Sequence, residues 1–372
     1  MKLRSGNKSD EKHSKSSQTN GSIQNNVKRK QMSKVEETKQ SPLQQWMIFF
    51  LKSLWLLFLF TYVTIPVTVK LYPWIMMRGA FLNNVRWPPF VDLTSPETFG
   101  LNATINTYVK TNDDVTVGVW HMLPPKLRKE GIIEEQYFSD SLSDGTPIIL
   151  YLHGNGGTRG GWHRVQLYKV LQSMYHVITL DYRGYGDSTG VPTEEGVVYD
   201  AVFLYKSIKR RSKDSQVFIW GHSLGSGVAS KVAKVLCEDE CPVGVVLESP
   251  FNNLRSAAAN HPLTRPFFLL PRSIFNYVFL DAIEYCGVYF DSATNLQSVK
   301  SPLLILHARD DKIVPFHLGE KLYQAALKNR VDTSSVTFRE FDGEHNYGHK
   351  HIHKAPQLPS IIQNFVAKCT KK

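Results

Sequence analysis

The sequence predicts an α/β domain, a mostly parallel sheet flanked by helices, carried behind a single membrane-spanning helix. Three observations lead there: an apolar run over 47–69, six short β-branched runs alternating with amphipathic stretches, and a Gly-rich turn between one such run and the next helix. Alternating strands and helices build a parallel sheet with right-handed crossovers, whose ligands sit at the carboxyl ends of the strands.

The first 45 residues carry ten Lys or Arg against four Asp or Glu, so more than half of the formal charge of +11 sits there. With almost no large apolar residue, this tail cannot offset the entropy of ordering, and it is expected to be disordered. No aromatic residue precedes Trp46 and no nucleic-acid motif follows, so no nucleic-acid partner is expected. The apolar run is long enough to cross a bilayer core, which takes about 20 residues. Lys52 lies near one end and can snorkel, and Pro66 is tolerated in a membrane helix. The run is too long for the core of a signal peptide. Lys28, Arg29, Lys30, Lys34 and Lys39 precede it, whereas Lys70, Arg78 and Arg86 follow more sparsely, so the tail is expected in the cytosol. On the opposite side Asn102-Ala103-Thr104 offers a glycosylation acceptor. The expected division is a cytosolic tail over 1–45, a transmembrane helix over 46–70, a linker over 71–102 and a catalytic domain over 103–372.

Within that domain, 103–109 and 115–122 read as a hairpin around Asn112-Asp113-Asp114. A polar insertion follows over 126–145. Buried parallel strands are expected at 148–152, 177–180, 217–220, 243–247, 303–306 and 336–341, with helices at 165–171, 194–208, 225–236, 318–327 and 358–366. The aromatic-rich stretch at about 251–299 breaks the alternation and is placed as a cap over the site. Four cysteines are too few for a disulfide framework, and their spacing matches no zinc site.

Gly221-His222-Ser223-Leu224-Gly225 follows the run QVFIW and precedes a helix, the context of a nucleophile elbow. So sharp a turn needs small residues at both glycines, and its strain holds the Ser223 hydroxyl outward at the helix N-terminus. A tetrahedral intermediate places negative charge on the former carbonyl oxygen, so two amide donors are expected beside the serine. Leu224 N–H is one. Asn155, in His153-Gly154-Asn155-Gly156-Gly157 after an early strand, is taken as the other.

The serine needs a base, and the base needs an acid to hold its tautomer. Asp311 ends a strand within Asp310-Asp311-Lys312-Ile313-Val314-Pro315, and the spacing to Val-Pro selects it; Asp310 reads as a turn or capping residue. The loop after the last strand carries His345, His349, His351 and His353. Gly343 and Gly348 argue against a helix aligning them as ligands, so no metal is expected. Spacing alone leaves His345 and His349 both open as the base. Two further patterns read as structural. His176 and Asp181 lie along one strand and point to opposite faces, and Arg183 and Asp187 are expected to pair locally within a tight turn.

Together the segments HGNGGTRGG, DYRGYGDSTG, WGHSLGSGVA, LESPF, LLILHARDDKIVP and HKHIHKAPQLP, behind an apolar anchor, resemble the membrane-bound lysophosphatidylserine lipases of the alpha/beta-hydrolase fold. The resemblance runs from about the anchor to the C-terminus. It implies a single-pass endoplasmic-reticulum membrane protein whose lumenal domain cleaves acyl esters of lysophosphatidylserine and monoacylglycerols, taken from the membrane, without a cofactor. Carried over residue by residue, it makes Ser223 the nucleophile and Asp311 the acid. It makes His349, five residues ahead of Lys354-Ala355-Pro356, the base, while Gly-Glu-His345-Asn resembles the ending of more distant relatives and keeps His345 as the alternative. A peptidase or thioesterase on the same triad and a non-enzymatic scaffold are the rival readings; the anchor and the aromatic cap favour lipid. Leu263, Phe267, Phe268, Leu269, Leu270, Phe275, Tyr277 and Phe279 are expected to line an acyl channel or dip into the interface, with Arg255, Arg265 and Arg272 meeting an anionic head group.

Overall fold

The computed structural model describes residues 41–370, apart from 87–88, 130–133, 329 and 331. The tail expected to be disordered therefore lies almost entirely outside the described residues. The chain divides into two units, Met1–Phe60 and Thr61–Lys372. The described part of the first unit belongs to helix α1 (Pro42–Leu71), among the described residues the one helix long and apolar enough to cross a membrane. Its start is written locally. Ser41 Oγ accepts the Gln44 N–H and the Gln44 side chain accepts the Ser41 N–H, a capping box, with Pro42 at the first helical position.

The second unit is built on an eight-stranded sheet: β1 (Thr104–Lys110), β2 (Thr116–Met122), β3 (Ile148–Leu152), β4 (His176–Leu180), β5 (Val217–His222), β6 (Gly244–Glu248), β7 (Leu303–Ala308) and β8 (Val336–Phe341). Its order is β1-β2-β4-β3-β5-β6-β7-β8. The first two pairings are antiparallel and the rest parallel. Successive residues of β5 face opposite cores: Val217 and Ile219 join one apolar cluster, Phe218 and Trp220 the other. Helices α5 (Glu194–Ser212), α6 (Leu224–Leu236) and α8 (Phe316–Lys328) cover the first face through Val197, Leu204, Val228, Val232, Leu318 and Leu322. Helices α4 (Trp162–Leu171) and α9 (Leu358–Thr370) cover the second through Val165, Tyr168, Ile362 and Phe365. Burial on both faces is why the central strands read as unbroken apolar runs.

Four features were not anticipated. Helix α2 (Ile75–Ala80) forms inside the stretch read as a linker, and α3 (Glu135–Ser141) inside the polar insertion, where Phe138 anchors it. Cys237, at the C-terminal end of α6, is disulfide-bonded to Cys241. After α7 (Leu254–Asn260) the cap continues in short turns whose apolar residues divide. Val278, Phe279 and Ala282, with Phe267, Leu270 and Phe275, pack around Val69 and Ile65 of α1, whereas Leu263, Phe268, Leu269 and Tyr277 are exposed.

Candidate active site

The candidate groups all follow the carboxyl ends of parallel strands: Asn155 after β3, Ser223 after β5, Asp311 after β7 and His349 after β8. Ser223 leaves β5 with φ 54° and ψ −119° and is followed at once by α6. A non-glycine residue is rarely held there, and the strain persists because the surroundings fix it. The flanking glycines show how. A Cβ at Gly221 would lie 2.2 Å from the Gly225 carbonyl oxygen, and one at Gly225 would lie 2.0 Å from the Leu152 carbonyl oxygen, so strand, turn and helix touch backbone to backbone. The small residues expected at both positions are needed for this contact.

The structure brings Ser223, His349 and Asp311 into one line. Ser223 Oγ lies 2.8 Å from His349 Nε2, and His349 Nδ1 lies 2.7 Å from Asp311 Oδ2. With a carboxylate on one nitrogen and a hydroxyl on the other, the proton belongs on Nδ1 and Nε2 accepts the Ser223 O–H. The other oxygen of Asp311 accepts the N–H groups of Ile313 and Val314, both at 2.9 Å, which orients the carboxylate within its turn. Burial works against this charge. The His349 ring, then the His307 and His349 hydrogen bonds, outweigh burial and hold the Asp311 carboxyl far below the usual carboxylate range.

His345, the alternative base, is exposed and lies against the Tyr347 ring. His351 and His353 flank Trp162. Asp310 turns away from the triad and accepts the Gly348 N–H. One expectation needs correction: the serine hydroxyl does not stand on open surface, for Ser223 and His349 are each only 8 % exposed.

Leu224 follows the serine directly, and Asn155 lies in the loop after β3. Leu224 is the first residue of α6, so its N–H has no partner within the helix. The Asn155 N–H likewise meets no acceptor among the described residues. The loop lies tight against the elbow, since a Cβ at Gly154 would come within 3.1 Å of Ser223 Cβ. A hydroxyl hydrogen-bonded to an imidazole that is itself hydrogen-bonded to a carboxylate is the arrangement acyl transfer requires.

Other residues were missed as site residues, or read wrongly. His222 donates from Nε2 to the His349 carbonyl at 2.8 Å; burial first, then His349, hold its pKa well below the ordinary histidine value, so it stays neutral. Glu248, at the end of β6, is buried and accepts the Trp220 indole N–H at 2.9 Å. Burial pushes its pKa up to about 7 against that bond, and Asp311 adds to the rise. The pKa of cap residue His261 is lowered by burial and then by His349. Arg183 and Asp187 do not pair with each other as expected. Arg183 takes Asp200 at 2.6 Å and Asp113 at 2.8 Å, while Asp187 is held by Arg159 at 2.6 Å. Nor is Arg255 free for a head group, because it pairs with Glu284 at 2.6 Å and Asp281 at 2.8 Å.

Comparison with known proteins places these features in context. The family model described as alpha/beta hydrolase fold matches residues 147–278. The lysophosphatidylserine lipase ABHD12 of Rattus norvegicus is 48% identical over 324 residues, covering 86% of this chain and 81% of the relative. That of Gallus gallus is 48% identical over 322 residues, covering 86% and 84%. Among solved structures, the Pyrococcus furiosus esterase Pf2001 superposes with a TM-score of 0.55 at 19% identity, covering 77% of this chain and 97% of that one; this shows a shared fold.

Proposed function

The chain belongs to the alpha/beta-hydrolase family of these lysophosphatidylserine lipases, and from that premise we propose that it is a membrane-anchored serine hydrolase cleaving lysophosphatidylserine and monoacylglycerols. The observation that carries this reading is the continuous line of hydrogen bonds from Asp311 through His349 to Ser223. His349 Nε2 takes the Ser223 proton as Oγ bonds to the acyl carbonyl carbon, and the carbonyl electron pair moves onto oxygen, facing the Asn155 and Leu224 N–H groups. Collapse breaks the ester C–O bond, and the imidazolium returns its proton to the departing head-group alcohol. Water repeats the sequence on the acyl-enzyme and releases the fatty acid.

Delivery of the substrate from a membrane is supported by the cap. Tyr62 Oη of α1 donates to the Pro266 carbonyl at 2.6 Å, and Lys70 Nζ lies 3.5 Å from the centre of the Tyr277 ring. The exposed Leu263, Phe268 and Leu269 thus sit beside the end of the membrane helix, with Arg265 and Arg272 among them and no acidic residue from 256 to 280. Such a surface suits an anionic interface. A lumenal domain in the endoplasmic reticulum is supported by the basic flank before α1, the exposed Asn102 sequon, and the Cys237–Cys241 disulfide, a bond that persists in oxidising compartments.

The test is fluorophosphonate labelling of purified enzyme and its Ser223→Ala variant, followed by catalytic efficiency on lysophosphatidylserine, monoacylglycerol, a diacyl phospholipid and a short soluble ester. Labelling confined to wild type and preference for the single-chain lipids are expected. Equal labelling of both proteins, or equal efficiency on the short ester, would defeat the proposal.

A further inference from the structure

Arg164, in the first turn of α4, is 2 % exposed, and among the described residues its side chain makes hydrogen bonds only to backbone carbonyls. Nη1 donates to Thr158 O at 2.5 Å, and Nη2 donates to Gly154 O at 2.8 Å and to Gly156 O at 2.6 Å. Nε is buried without a partner among the described residues. A guanidinium withdrawn from water without a carboxylate is costly, and here the three loop carbonyls offset that cost. What distinguishes Arg164 is the loop those carbonyls belong to, 154–158, which carries the Asn155 N–H.

The carbonyl of Gly154 and the N–H of Asn155 are one peptide unit. In a trans peptide they point in opposite directions, so fixing the oxygen fixes the donor. Gly154 O is fixed twice, by Arg164 and by His153 Nδ1 at 2.8 Å. A cation on the oxygen also draws electron density through the peptide and strengthens its N–H as a donor. On the other side the Asn155 side chain is a clamp. Its Oδ1 accepts Leu82 N–H at 2.8 Å, Tyr185 O–H at 2.9 Å and Gly156 N–H at 3.0 Å, and its Nδ2 donates to Ala80 O at 3.0 Å. Gly157 N–H reaches Val85 O at 2.7 Å, so the loop is bound to the strap 80–85 that leads in from the membrane helix.

We infer that Arg164 is the positioning residue of the oxyanion donor, its guanidinium aligning and polarising the Gly154–Asn155 peptide while the Asn155 side chain tethers that peptide to the strap 80–85. The inference rests on the acyl-transfer reading proposed above. Lysine cannot substitute, because three carbonyls around one planar fork are beyond a single ammonium held in one place.

The experiment uses full-length enzyme in phospholipid–detergent micelles: wild type, Arg164→Lys, Arg164→Gln and Tyr185→Phe. Turnover of a long-chain monoacylglycerol is measured per Ser223 site, titrated to completion with a fluorophosphonate. Affinity is measured for an alkyl trifluoromethyl ketone, whose adduct with the serine carries an oxyanion. Both Arg164 variants should lose about tenfold to a hundredfold in kcat with KM changed less than about threefold, and bind the ketone more weakly by the same factor as kcat/KM falls. Tyr185→Phe, which removes one bond to Asn155, should show the same proportionality at about two- to fivefold. A residue that only supports the fold would lower the number of titrated sites and leave turnover per site and ketone affinity at wild-type levels; that result overturns the inference. Should the Arg164 variants yield no titratable enzyme, unchanged turnover per site in Tyr185→Phe overturns it. Failure of the underlying reading is distinct: wild type itself would neither label at Ser223 nor cleave the ester.

Discussion

Both carboxylate oxygens of Asp310 accept the Gly348 N–H, each at 3.0 Å, one residue ahead of His349. The acidic pair Asp310-Asp311 therefore holds one loop at two adjacent points, the first gripping its backbone and the second its imidazole. Asp310→Ala should lower kcat by about tenfold, and Asp310→Asn, which retains an acceptor oxygen, should recover most of it. Wild-type kcat in Asp310→Ala would show that the loop is held in place by other contacts.

The triad geometry sets a ranking. Ser223→Ala and His349→Ala should each reduce turnover by roughly a thousandfold or more, while His345→Ala, changed at an exposed ring, should stay within about twofold. Steady-state kinetics on a monoacylglycerol decides it, and a reversed order of the two histidines would reassign the base.

Glu248 links stability to pH near neutrality. Its pKa in the folded protein, about 7, lies above the ordinary glutamate value of 4.5, so the folded state binds the proton more tightly than the unfolded chain does. The resulting stabilisation is complete below about pH 4.5 and is lost as pH rises through about 7. Glu248→Gln keeps an acceptor for Trp220 and cannot ionise. It should melt like wild type at pH 4 and several degrees higher at pH 8, a difference on the order of 3 kcal/mol at most. Melting curves across that range test this, and a gap independent of pH would remove Glu248 as its source.

Topology can be read from chemistry on Asn102 and the cysteines. Protein made in cells should shift in mobility on glycosidase treatment, and Asn102→Gln should abolish the shift. Alkylation before and after reduction should find Cys237 and Cys241 protected until the reductant is added and Cys286 reactive throughout. Digestion of the Ser223 domain by protease added to the cytosolic face of sealed microsomes would refute a lumenal site.

Much of this molecule was legible because its strongest signals are local. Ser223 stood out as a candidate from five consecutive residues between an apolar strand and a helix. The central strands were found because burial on both faces leaves no polar residue to interrupt them. Asp311 followed from the turn that ends β7. His349 did not follow from spacing, since four histidines share one loop and only the resemblance ranked them. Non-local pairing was the blind spot. Arg183 and Asp187 looked like partners at four residues' separation, yet Arg159, distant in sequence, claims Asp187. Arg164 carries no sequence signal, because an arginine in a first helical turn reads as a surface charge until the loop it faces is known. The cap could not be apportioned, since nothing in the run from Phe267 to Phe279 tells which rings meet α1.

Arg159 has a further consequence, for the order in which the fold comes apart. It is fully buried and binds Asp181 at the end of β4, Asp187 in the following turn and, at 2.7 Å, Asn106 of β1. An edge strand ordinarily frays first, and its amides exchange with solvent while the rest of a sheet stays protected. Here peeling β1 away would strip a buried, ion-paired cation of its Asn106 partner. Deuterium should therefore enter β1 only when the parallel strands open as well, making the margin of this sheet as slow to exchange as its centre.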